Sequence, residues 1–123
     1  MSTQNELALL GSVIRPKYQH PHAEIRACEK KFHACRIAMT HAAITQEMLA
    51  ERIGKTPGYV SMLMSGKRDW PDKLLRKLMT VTGSMAPLQW DAMREGVELY
   101  ADPVRVELAQ LEARRAELLG KAA

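Results

Sequence analysis

The feature that most constrains the fold is a central stretch, ITQEMLAERIGKTPGYVSMLMSGKR, in which signals for starting and stopping a helix follow one another closely. Thr45 can cap a first helix, and Gly54 can end it because glycine adopts the left-handed conformation at low cost. Thr56 can cap a second helix with Pro57 at its first position, where the missing N–H costs nothing. That helix ends at the following Ser-Gly pair. The stretch therefore predicts two short helices joined by a tight turn.

The apolar residues of these two helices indicate which faces are buried. Ala50 is small enough to let the helices cross closely. The residues predicted to face the core are Met48, Leu49 and Ile53 in the first helix and Val60 and Leu63 in the second. The opposite face of the second helix is then left exposed.

Helical patterns continue on both sides of this pair. Apolar residues at steps of three and four predict one helix over residues 22–42: Ile25, Cys28, Phe32, Cys35, Met39 and Ala42. Pro71 opens a further helix closed by Gly83, and Pro87 opens another that runs toward Gly96. No segment alternates like a strand, so the predicted class is all-α.

The two ends of the chain differ from its centre. Residues 1–21 hold two prolines and no periodicity, which predicts a flexible arm. Asp102 and Pro103 start a last helix that is predicted to end before Gly120. Its apolar stripe consists of Val104, Leu108, Leu111 and Leu118. This helix could lie on the core or mediate self-association. The predicted organisation is an arm (1–21), a helical domain (22–97) and a C-terminal helix (98–123).

The positive charge of the chain is unevenly distributed. Net formal charge is +3 for residues 1–43, +3 for 44–83 and −2 for 84–123. A basic surface attracts polyanions, although many basic proteins never bind nucleic acid. No apolar run approaches the roughly 18 residues of a membrane span, and no basic segment precedes the first apolar stretch. We therefore expect a cytoplasmic protein with no membrane partner.

The central stretch resembles the helix-turn-helix of the phage Cro and lambda-repressor class in its spacing. The following run, DWPDKLLRKLMTVTGSMAPLQWDAMREG, is similar to the continuation found in small phage regulatory proteins, including CII-like regulators. The resemblance implies a five-helix lambda-repressor-like domain, here with an N-terminal arm and an extra C-terminal helix. It also implies that the exposed face of the second helix enters the major groove of double-stranded DNA.

The resemblance also identifies candidate DNA-binding residues. Thr45 and Gln46 match the positions that usually meet a phosphate, and Lys67 and Arg68 match the loop beside the DNA backbone. The full predicted set is Thr45, Gln46, Lys55, Thr56, Pro57, Gly58, Tyr59, Ser61, Met62, Lys67 and Arg68. The groove-facing positions contain no Arg for guanine and no Asn or Gln for adenine, so direct base readout should be modest.

The resemblance implies an operator-binding transcriptional regulator of phage or prophage type that acts as a homo-oligomer, a dimer or higher. The alternative is a helix-turn-helix interaction module, such as an antitoxin or accessory factor, whose exposed face meets protein instead of an operator. A steep loss of DNA binding with salt would favour the first interpretation.

Other chemistry finds little support in the sequence. His20, His22, Cys28, His33, Cys35 and His41 lie close together in the chain. On one continuous helix, however, Cys28 and Cys35 are about 10 Å apart along the axis, which argues against both a shared metal and a disulfide. No glycine-rich phosphate loop, serine elbow or HExxH motif is present. We therefore predict no enzymatic activity, no cofactor and no small-molecule substrate.

Overall fold

The computed structural model describes residues 17–122, and these form seven helices. They are α1 (His22–Arg26), α2 (Lys31–Ala42), α3 (Gln46–Ile53), α4 (Pro57–Met64), α5 (Asp72–Thr82), α6 (Ala86–Arg94) and α7 (Pro103–Ala122). Within this range the only β pairing is an isolated bridge, so the all-α prediction is confirmed. None of these helices is long and apolar enough to cross a membrane. Residues 17–99 form one compact unit, and α7 belongs to another.

The single helix predicted over residues 22–42 is wrong, because the chain breaks between α1 and α2. Lys30 is extended, with φ −129° and ψ 154°, and its backbone N–H donates to Nδ1 of His33 at 3.3 Å. The break also leaves the carbonyl of Cys28 outside any helix, where it accepts from the indole Nε1 of Trp90 at 3.0 Å. These two side-chain bonds satisfy backbone groups that an unbroken helix would have paired internally.

The main core lies among α2, α3, α4 and α5. Its buried residues include Leu49, Ile53, Val60 and Leu63, as predicted. Met48 was predicted to face inward, but 39% of it is exposed. At about 100° per residue, Ala50 and Ile53 lie on the inward side of Leu49, whereas Met48 lies on its outward side. Helices α3 and α4 pack against each other in the main core.

The end of the predicted arm is an ordered part of the fold. Residues 1–16 lie outside the described residues, but Tyr18 pairs with the chain after α5: its N–H donates to Gly83 and its carbonyl accepts from Met85. Both backbone groups of His20 bond the buried side chain of Gln89, at 2.9 and 3.0 Å. These hydrogen bonds hold the last residues of the predicted arm against the helical unit. A buried amide was needed because the incoming backbone has to be paired.

The last helix is longer than predicted, since α7 continues through Gly120 to residue 122. Gly120 does not adopt a positive φ, and a glycine inside an exposed helix costs only about 1 kcal/mol. An ion pair between Glu117 and Lys121 spans the position at 3.2 Å.

Candidate nucleic-acid interface

The start of each helix in the α3–α4 pair is held by a threonine, as predicted. Thr45 Oγ1 accepts from the backbone N–H of Met48 at 3.1 Å, and Thr56 Oγ1 accepts from that of Tyr59 at 3.2 Å. The turn between the helices passes through Gly54, whose φ of +72° is in the left-handed region. These local interactions fix α4 against α3 without using its exposed side.

The two helix starts differ in the backbone donors that they offer. An α-helix leaves its first N–H groups without partners inside the helix. At α3, the groups of Gln46 and Glu47 remain after the cap on Met48 is made. At α4, Pro57 has no N–H and the cap uses that of Tyr59, so Gly58 supplies the one that remains. An anion can thus be met by two backbone donors at α3 but by only one at α4.

The exposed face of α4 contains the residues that the sequence placed there. Val60, Leu63 and Met64 are buried on one side of this helix. On the other side the exposed residues are Thr56, Pro57, Gly58, Ser61 and Met62. This face is small and weakly polar. It suits close approach and contact with thymine methyl groups better than a pattern of hydrogen bonds.

Tyr59 links this face to two of the predicted cations. Its ring is half-buried against the main core, and Lys55 Nζ lies 5.4 Å from the ring centroid. The guanidinium carbon of Arg68 lies 5.2 Å from the same centroid. Cations over an aromatic face gain about 0.5–1 kcal/mol at exposed sites. The ring therefore brings together one cation from the turn before α4 and one from the loop after it.

The loop after α4 is held by residues that sequence reasoning missed. Arg36 Nε donates to the carbonyl of Met64 at 3.1 Å, and its guanidinium lies 5.2 Å from the ring centroid of Phe32. The same ring lies against Gly66, which has a φ of +80°. Arg36 does not belong to the apolar stripe predicted for its helix, and no local pattern indicates that it bonds a carbonyl 28 residues away.

The structure brings together only part of the predicted set. Lys55, Tyr59 and Arg68 form one cluster, which we call the Tyr59 cluster. Lys67 is exposed in the same loop. Thr45 and Gln46 lie at the start of α3, and no described contact joins them to the Tyr59 cluster.

The histidines and cysteines do not assemble into a metal site within residues 17–122. The continuous helix that was expected to separate Cys28 from Cys35 is wrong, because Cys28 lies in the break before α2. Burial raises the pKa of the Cys35 thiol to about 12 and also raises that of Cys28. A protonated thiol is a poor metal ligand. His20 Nε2 instead bonds the buried hydroxyl of Ser84 at 2.6 Å.

Comparison with known proteins identifies the same pair of helices, α3 and α4, as part of a helix-turn-helix. The model of a helix-turn-helix family matches residues 36–86, which run from α2 to the start of α6. The match supports the helix-turn-helix class of DNA-binding transcription regulators. No curated protein and no solved structure matches the chain.

Proposed function

We propose that this helix-turn-helix chain is a transcriptional regulator of phage or prophage type, which binds operator DNA through the exposed face of α4. The observation that carries the proposal is the Tyr59 cluster. It brings a cation from the turn before α4 and a cation from the loop after α4 to one ring of this helix, whose other exposed residues are small enough to enter a major groove.

The proposed contacts fall into two groups. Lys55, Lys67, Arg68 and the start of α3 contact phosphates and set the position of the protein. Ser61 and Met62 face the bases, where they offer one hydrogen bond and one apolar contact. Most of the affinity would therefore come from contacts with the DNA phosphates, and most of the sequence preference from DNA shape and from the spacing of paired sites.

Weak readout by one domain favours a linked pair of domains, because linkage raises the effective concentration of the second. We propose that α7 supplies this link by pairing with a second copy of itself. Its stripe is exposed in the single chain: Val104 by 64%, Leu108 by 38%, Leu111 by 56% and Leu118 by 59%.

The phosphate contacts are tested by replacing Lys67 and Arg68 together with alanine. Binding to all DNA sequences should weaken, and the slope of log affinity against log salt should flatten by about 0.9 for each phosphate that the variant no longer neutralises. The matched control replaces Arg76 and Lys77, two exposed cations of α5, with alanine. If both double variants lose affinity equally, net charge rather than this loop drives binding.

The face of α4 is tested by Ser61→Glu, which adds a charge at an exposed position beside the proposed groove. DNA binding should be lost while the melting temperature stays nearly unchanged. Val60→Glu, one residue away but buried, should instead unfold the domain. Normal DNA binding by the folded Ser61→Glu variant would exclude α4 as the reading helix and favour the protein-interaction alternative.

Self-association is tested by Leu111→Glu, with Gln110→Glu as the control that adds the same charge to the neighbouring residue. Light scattering should show a smaller mass for the leucine variant alone. An unchanged mass for both variants would place the oligomer interface elsewhere.

A further inference from the structure

A cleft of about 470 Å³ lies beside the Tyr59 cluster, within the unit of residues 17–99. Its lining comes from the start of α2, the loop after α4 and helix α6. Four of the lining residues are cationic and one, Asp69, is acidic. The aromatic part of the lining consists of Phe32, Trp70 and Trp90. Clefts of this volume are typical of sites for small molecules.

Within residues 17–122, three of the four cations form no ion pair with a carboxylate. Lys31 is paired with Asp91 at 2.9 Å. No ion pair involves Lys30, Arg68 or Arg94 among the residues that the structure describes. Counting Asp69 in the lining and Asp91 beside Lys31 against the four cations leaves two positive charges in excess, which favours an anion that carries more than one charge.

Aromatic rings hold both of the arginines. Arg94 lies 4.9 Å from the ring centroid of Trp90, and Arg68 lies 5.2 Å from that of Tyr59. Trp90 is itself fixed by its bond to the Cys28 carbonyl. A guanidinium on an aromatic face keeps its N–H groups for a ligand, and its fork geometry matches the oxygens of phosphate.

From this arrangement we propose that the cleft binds a phosphorylated small molecule about the size of a nucleotide. Lys30, Arg68 and Arg94 meet its phosphates, and the aromatic walls cover its less polar part. A DNA backbone phosphate would use the same cations, but it would leave most of a 470 Å³ cleft empty.

The chain reports on this cleft directly, because both of its tryptophans, Trp70 and Trp90, line it. The experiment is a fluorescence titration of the intact protein, without DNA, using pyrophosphate, ATP and adenosine in turn. Pyrophosphate and ATP should give a saturable change, and adenosine, which lacks phosphate, should bind much more weakly.

Two variants with equal loss of charge make the test specific. Arg94→Gln should weaken binding of ATP about tenfold or more, because it removes charge-assisted hydrogen bonds. Arg76→Gln, on the exposed side of α5, should leave binding unchanged. No saturable signal, equal losses in the two variants, or a response to duplex DNA alone would overturn the proposal. Circular dichroism of each variant verifies that the fold is retained.

A consequence for regulation rests on the proposed function. Arg68 lines the cleft and also lies in the loop proposed to meet DNA, so ATP in the cleft should weaken DNA binding. The titration without DNA does not depend on this competition. If ATP binds in the titration but does not weaken DNA binding, the ligand site in the cleft stands and Arg68 does not contact DNA.

Discussion

The loop after α4 depends on a glycine for two separable reasons, and a pair of substitutions can measure each of them. Gly66 has φ +80°, and a Cβ there would lie 2.4 Å from Cε1 and 2.7 Å from Cδ1 of Phe32. Gly54 has a similar φ of +72°, but a Cβ there would meet nothing within 4 Å. Alanine at either position would therefore strain the backbone, but only alanine at position 66 would also overlap with another side chain.

The expected magnitudes follow from this difference. An L-residue in the left-handed region costs about 1–2 kcal/mol, which is the whole cost for Gly54→Ala. Overpacking adds roughly 1–3 kcal/mol, so Gly66→Ala should cost about 2–5 kcal/mol. Phe32→Ala removes the obstructing ring, and in that background Gly66→Ala should cost no more than Gly54→Ala.

Urea unfolding of the four variants, followed by circular dichroism, measures these free energies at constant m-value. The coupling between positions 32 and 66 should be about 1–3 kcal/mol. Equal costs for Gly54→Ala and Gly66→Ala, or no coupling to Phe32, would show that the ring yields freely. The close approach would then not define the loop that holds Lys67 and Arg68.

Three further predictions concern the helix start, the buried amide and pH. A Cβ at Gly58 meets nothing within 4 Å, so Gly58→Ala should stabilise the fold by up to about 1 kcal/mol. In gel-shift titrations it should nevertheless weaken DNA binding, and unchanged affinity would mean that this backbone stays away from DNA. Gln89→Leu should cost about 2–4 kcal/mol in urea unfolding, because both backbone groups of His20 lose their partners; a cost below about 0.5 kcal/mol would contradict that role. Burial lowers the pKa of His20 from 6.5, against the opposing effect of Glu24. The folded state therefore resists protonation of His20. The contribution of neutral His20 to the free energy of unfolding is complete above pH 6.5 and is lost as pH falls below that value. Melting curves at pH 5–8 should show less acid sensitivity in His20→Gln, and identical profiles would refute the assignment.

The parts of the fold that could be predicted are those with a local cause. Thr45 and Thr56 cap helices because the bond each makes reaches only three residues along the chain. Gly54 turns the chain because of its own φ. Burial of Val60 and Leu63 follows from helical spacing. Such features depend on neighbouring residues, and the sequence displays those directly.

The errors occur where a distant partner decides the local structure. Spacing of three and four continues through residues 27–30, so periodicity predicted one helix. The bond from Trp90 to the Cys28 carbonyl crosses 62 residues, and the bonds between His20 and Gln89 cross 69. No local pattern marks a glutamine as the partner of a backbone segment that far away.

The same distinction explains what could be predicted of the candidate interface. The exposed positions of α4 follow from the buried ones, so the resemblance could identify the set of residues but not their arrangement. Lys55 and Arg68 can both lie over Tyr59 only if the turn before α4 and the loop after α4 approach the same ring. The approach of the loop depends on Gly66, which lets the loop lie against Phe32. Because Arg68 also lines the cleft beside Trp90, one loop conformation determines both the proposed phosphate contact and the proposed ligand site. A substitution that shifts this loop should therefore weaken both DNA binding and ligand binding in the cleft, whereas Arg94→Gln should weaken ligand binding alone.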